Sequence, residues 1–142
     1  MFDTPQARIG AALSIAVLAF ALLKGDAPER TGGAAYGLAW FTSLLIQGDG
    51  VGGGVSWGLA AVDFILLGVF SGLAWKSRRA WPVWASGLQS LVVMSHLLTF
   101  IDARPPLMAF YVVINLASYG ILVALALGAW RAWRDRRIAG VE

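Results

Sequence analysis

Residues 57–75 read WGLAAVDFILLGVFSGLAW, and the four residues KSRR over 76–79 separate them from a second apolar run, WPVWASGLQSLVVMSHLLTFI, over 81–101. A membrane-spanning helix needs roughly 20 predominantly apolar residues, within a range of about 17–25, so each run has the length of one bilayer crossing. Working outward from this pair, three more stretches approach the same length: 6–23, 32–47 and 107–133. The segment 32–47, which carries AAYGLAWFTSLLI, is short for a full crossing. It must therefore extend into its flanks, meet a thinned bilayer or be re-entrant. The expected fold is an all-α integral membrane protein, a compact bundle of five transmembrane helices forming one domain over 1–142, with 134–142 as a short basic tail.

Composition agrees. Of 142 residues 58% are hydrophobic and 13% charged, where an ordinary soluble domain carries roughly 25% charged residues, so an ordinary soluble enzyme is excluded. The absence of cysteine excludes disulfides, iron–sulfur clusters, thiolate metal sites and a Cys nucleophile. A single histidine excludes bis-His haem ligation and a His-rich metal site within one chain. No cofactor is expected. The net charge of +3 and pI near 9.8 suggest nucleic acid only until the basic residues are located beside apolar segments, as membrane-flanking charges are. A nucleic-acid partner is accordingly not expected.

Those charges alternate from loop to loop. Lys24 and Arg30 follow the first segment, QGDGVGGGVS holds none, Lys76, Arg78 and Arg79 follow the third, Arg104 stands alone, and Arg131, Arg134, Arg136 and Arg137 end the chain. The positive-inside rule then places the N-terminus outside and the C-terminus in the cytoplasm, which requires an odd number of spans. Trp75, Trp81, Trp84, Trp130 and Trp133 would sit with Arg78, Arg79, Arg134, Arg136 and Arg137 at the cytoplasmic headgroup level, and Trp57 at the outer one, because indoles prefer that interface. The C-terminal WRAWRDRR reads as an amphipathic basic tail suited to anionic headgroups. The first segment has a barely basic n-region, MFDTPQAR, and no small-x-small cleavage site after its apolar core, so it reads as a retained helix.

Small residues four apart recur: Gly33 and Gly37 in GAAYG, Gly68 and Gly72 in GVFSG, and also Gly10 with Ser14 and Ala124 with Gly128. In lipid such pairs let helix backbones approach closely, here within one chain or, alternatively, across a homodimer seam. The glycine-rich stretch 48–54 lacks the strand, GK[ST] ending and soluble helix of a phosphate loop, and reads as a flexible external hairpin. Pro105 and Pro106 close the fourth helix and start the fifth. No Walker, G-x-S-x-G or HExxH motif and no internal repeat is present.

Two ionisable groups fall inside spans, Asp63 and His96. Such groups cost several kcal/mol and are functional candidates when a partner can be named. Each lies about six residues from the outer end of its helix, or roughly 9 Å at 1.5 Å per residue, so the two are level on adjacent antiparallel helices. Asn115 is nearly symmetric with His96 about the Pro105–Pro106 turn, and Tyr111, Asn115, Ser118 and Tyr119 recur at helical spacing. Gln89, His96 and Thr99 share one side of the fourth helix, and Thr42, Ser43 and Ser14 could face the same layer. Two readings follow: a buried pair that latches helix register, with Asn115 satisfying a leftover donor or acceptor, or a proton- or ligand-responsive site. Serines 43, 90, 95 and 118 carry no nucleophile motif that fixes a Ser–His geometry. Lys24 and Lys76 sit at helix ends, which excludes a retinal Schiff base.

The runs WGLAAVDFILL, WKSRRAWPVWASGLQSL and SHLLTFID, about the middle third of the chain, resemble a group of short, uncharacterised multi-pass proteins of bacterial inner membranes. The resemblance implies a compact five-helix membrane protein and no activity. The expected role is a small non-enzymatic accessory or assembly subunit, embedded against a larger membrane complex or self-associated. The alternative is a small proton- or solute-coupled transporter or channel using Asp63 and His96.

Overall fold

A computed structural model describes residues 3–48, 57–101 and 106–140. Among these the chain forms five helices: α1 (Pro5–Lys24), α2 (Ala27–Gly48), α3 (Trp57–Ser77), α4 (Ala80–Phe100) and α5 (Leu107–Ile138). Helices α1, α3 and α4 hold 20 or 21 residues each, about 30 Å at 1.5 Å per residue, which matches the hydrocarbon thickness of a bilayer. Four helices, α1, α3, α4 and α5, are long and apolar enough to cross a membrane.

Helix α2 departs from its expected start at residue 32. It begins at Ala27 and runs for 22 residues, so it has the length of a span, but its glycines and polar side chains, among them Thr31, Thr42, Ser43 and Gln47, leave it less apolar than the other four. Helix α5 also outruns its expected end. Its 32 residues make about 48 Å, well beyond a ~30 Å hydrocarbon core, and residues 134–138 continue the helix instead of forming a separate tail. The glycine stretch 49–54, Asp102, Arg104 and Pro105 lie outside the described residues.

Each helix packs on the next in sequence, and α5 returns against α1, so the five close a ring with α2 and α5 also touching across it. The core joins small residues on α1, α4 and α5 (Ala21, Ala85, Ala129) to larger ones such as Phe70, Trp81, Ile121 and Leu125. Small side chains let backbones come close, and in lipid that packing replaces the absent hydrophobic drive between helices. Large apolar groups on every helix face outward, from Ile9 and Leu13 on α1 to Trp75, which is 88% exposed, on α3. A surface so apolar has the character of a lipid-facing bundle, since soluble monomers avoid large contiguous apolar patches.

Helix ends are closed by local chemistry. Thr4 Oγ1 accepts from the Ala7 amide at 3.3 Å, with Pro5 in the first turn, a common helix start. At the start of α2 the Asp26 amide donates to Glu29 Oε2 at 2.9 Å, the backward half of a capping box. Between α3 and α4, Arg78 takes a left-handed backbone, φ +53°, which turns the chain within two residues and aims Arg79 back at the α1–α2 turn. At the other end of the α3–α4 pair Trp57 stacks on Phe100 with centroids 4.3 Å apart.

Candidate functional site

The first polar cluster is inside the bundle. Asp63, six residues into α3, presents its carboxylate to two side chains of α4. Gln89 Nε2 donates to Oδ1 at 2.9 Å and also to the Asp63 carbonyl at 3.2 Å. His96 Nε2 lies 2.8 Å from Oδ2, where an ionised carboxylate makes the ring nitrogen the donor. Gln89 and His96 stand seven residues apart, two helical turns, and so share the α4 face that meets α3. Gln89 is 2% exposed, and the Asp63 and His96 side chains are 23% and 15% exposed. Phe110 of α5 meets the His96 ring edge-on at 6.4 Å. Buried Tyr36 of α2 shares a side-chain hydrogen bond with Ser118 of α5 and lies within electrostatic range of Asp63. The cluster therefore draws on α2, α3, α4 and α5.

Three residues expected there are elsewhere. Asn115 is exposed, and its amide donates to the Tyr111 carbonyl of its own helix. Thr99 is exposed and donates to the Ser95 carbonyl. Tyr119 points to α1, with its hydroxyl 2.8 Å from where a Gly10 side chain would begin. The described serines of this layer are also committed: Ser95, Ser90 and Ser43 each donate to the carbonyl four residues back. None of these three hydroxyls is held by His96. The Asp63 carboxyl, held by Gln89 and His96, ties α3 to α4. Among the described residues every buried side-chain nitrogen and oxygen has a partner.

The second cluster lies at the basic end, where the α1–α2 turn, the α3–α4 turn and the last turns of α5 meet. Glu29 is fully buried. Besides the Asp26 amide, it accepts from Arg79 Nη1 at 3.0 Å and from Trp81 Nε1 at 2.8 Å. Asp26 binds Arg79 Nη2 at 2.7 Å and also pairs with Arg136. Burial pushes the Asp26 carboxyl up, but the hydrogen bonds and charges of Arg79 and Arg136 outweigh it and hold it below the usual value of 3.8. Burial pulls the Arg79 guanidinium down, but Asp26 and Glu29 outweigh that too and raise it above its ordinary value.

This cluster corrects the expected interfacial belt. Trp75, Trp84 and Trp130 are exposed, and Arg134 and Arg137 stack over Trp130 and Trp133 at 5.0 and 4.8 Å. Trp81 instead is 5% exposed and T-stacked on Phe70 at 6.1 Å. Its ring fills the space that side chains on Gly32 and Gly128 would need. Arg79 and Arg136 turn to acidic partners, not outward to headgroups, because Asp26 and Glu29 are within reach and partly shielded from water.

The glycine pairs divide. Gly33 packs toward Ala21 and Gly37 toward Leu18, with 3.3 and 3.4 Å to the position a side chain would start from. Gly68 and Gly72 have no such neighbour within 4 Å. They lie two residues out of step with buried Leu66 and Phe70, about 200° around the helix, and so face outward. Compared with known protein families, with curated proteins and with solved structures, the chain matches none.

Proposed function

We propose that this chain is a small non-enzymatic protein of the bacterial inner membrane that serves a larger membrane complex as an accessory or assembly subunit. The observation that carries this reading is the outer face of α3. Gly68 and Gly72 offer a surface on which another helix can approach closely, and the chain's own helices leave it uncovered. No cysteine occurs in the sequence, so Gly68→Cys and Gly72→Cys each create a sole thiol. A maleimide-linked benzophenone coupled to that thiol and irradiated in native membranes, which inserts into C–H bonds of any adjacent protein, should give an adduct with a different, membrane-embedded subunit, while Gly33→Cys, on a covered face, should give none. An adduct containing only this chain would replace the accessory reading with a homo-oligomer. No adduct from either position would overturn docking on α3. Gly68→Leu should leave folding intact, since the new side chain meets open space.

The same reading takes the N-terminus as external and the basic end as cytoplasmic. It is supported by the ion pairs that gather the α1–α2 turn, the α3–α4 turn and the end of α5 at one pole, as alternating charge requires. A membrane-impermeant thiol reagent should label Asp3→Cys in intact cells and Gly140→Cys only after the cells are opened. The reverse pattern, or labelling of both in intact cells, would refute this orientation.

A second reading, proton- or solute-coupled transport, is favoured by one observation, the 2.8 Å contact of His96 with Asp63 inside the bundle.

A further inference from the structure

Between α4 and α5 an open groove of about 720 Å³ runs from Leu88 and Gly120 to the basic end at Ala139. Along α5 this is 19 residues, or about 28 Å, nearly the thickness of a hydrocarbon core and parallel to the helices. One part of it is apolar, walled by Trp84, Leu88, Val123 and Leu127. The other part is charged. There Arg79, Arg136, Asp26 and Glu29 are tied to one another, and Asp135 pairs with Arg134 at 3.5 Å. Arg131 lines the same groove, is exposed, and makes no hydrogen bond or ion pair with any described residue.

We infer that this groove binds one phospholipid, with an acyl chain against Leu88, Val123 and Leu127 and the phosphate on Arg131. The occupant follows from shape and charge together. A second helix, about 10–12 Å across with its side chains, is too wide for a slot between two helices that pack directly on each other. A water-soluble phosphate would leave the apolar wall uncovered, and a neutral hydrocarbon would leave Arg131 without its anion. A phospholipid has the same order along its length as the groove, apolar then anionic, and reaches the charged end at the depth where headgroups lie. The inference rests on the chain being membrane-embedded and is independent of docking on α3.

Native mass spectrometry of the delipidated full chain, titrated with phosphatidylglycerol, tests it. One lipid should remain bound per chain, and Arg131→Ala should weaken retention about fivefold, as expected for the loss of one basic group at a membrane surface. Leu127→Trp and Val123→Trp, at exposed positions that tolerate bulk, should each fill the groove and abolish retention. Trp75→Ala, on another face, should change nothing. Glycerol 3-phosphate at the same concentration should fail to compete, and diacylglycerol should bind more weakly than the phospholipid. Retention undiminished by either tryptophan variant overturns the inference. Competition by glycerol 3-phosphate reduces the site to one for free phosphate and overturns the acyl-chain assignment. Equal binding of diacylglycerol overturns the role of Arg131.

Discussion

Replacing Glu29 with alanine should lower the stability of the bundle by about 3 kcal/mol, the lower part of the range for removing one partner of a buried ion pair. Glu29 is fully buried and its carboxylate satisfies three donors: the Asp26 amide, Arg79 Nη1 and Trp81 Nε1. Truncation strands all three, and Trp81, 5% exposed, has least recourse to water. Arg79, whose side chain is 34% exposed, can rehydrate in part, which keeps the loss near the lower bound. Glu29→Gln keeps one carbonyl acceptor, which can still serve Trp81 Nε1 and Arg79 Nη1, but it removes the charge and puts an amino group where Oε2 accepts from the Asp26 amide, and should cost about 1–2 kcal/mol. Unfolding of the detergent-purified protein, followed by helical circular dichroism, measures both. A change below about 0.5 kcal/mol for the alanine variant, the level of an ordinary surface substitution, would show that the network holds nothing together. Acid should act on the same network through Asp26. Its folded-state value is lowered below 3.8, so its contribution is complete above that pH and is lost as the pH falls through the folded value. The part of the stability that Asp26 supplies should therefore be level from neutral pH down to about 5 and decline below 3.8, and the Asp26→Asn variant should lack that decline.

Little of this network is legible from apolar runs. Arg79 lies 50 residues from Glu29, and Arg136 lies 110 from Asp26, so no local window connects them. Two signals were nevertheless present. Asp26, Ala27, Pro28 and Glu29 form a helix start, with an acid at the cap, proline in the first turn and a glutamate three residues on. Read as such, they move the beginning of α2 from residue 32 to 27 and place Glu29 inside a helix. Gly32 and Gly128 are the second signal, since both clear the volume that Trp81 occupies. Position beside basic residues, which makes an indole look interfacial, does not report on such clearance.

Depth along a helix proved easier to read than direction around it. Counting residues from helix ends brings Asp63 and His96 to one level, and they are hydrogen-bonded. The same counting assigns Asn115 to His96 only if the chain reverses at Pro105–Pro106 without a connecting segment. Helix α4 ends at Phe100 and α5 begins at Leu107, so counted from those ends His96 lies four residues in and Asn115 eight, and Phe110 is the α5 side chain that meets His96. Gly33–Gly37 and Gly68–Gly72 have identical spacing, yet one pair faces Ala21 and Leu18 and the other faces outward. Period identifies a stripe. Which neighbour covers it depends on the closing of the ring, a long-range property.

The pair Asp63 and His96 separates a latch from a proton-responsive site when each is replaced by leucine, singly and together. Asp63→Leu removes the acceptor of His96 but leaves Gln89 the Asp63 carbonyl at 3.2 Å, so the stranded group is the imidazole. His96→Leu leaves Oδ2 without its donor while Gln89 still holds Oδ1 at 2.9 Å. Each single variant should lose about 2 kcal/mol, the penalty of one unsatisfied buried polar group, and the double should lose less than the sum by about 1–2 kcal/mol, high among couplings between membrane helices. Strictly additive losses would mean that the contact carries no energy. Proton flux into liposomes containing the purified protein then distinguishes the roles. A latch predicts that wild type and the refolded double variant are equally tight to protons, because neither group titrates in the course of function. A coupled site predicts flux in the wild type that the double variant lacks despite its recovered stability, because the only histidine in the chain and its carboxylate have both been removed.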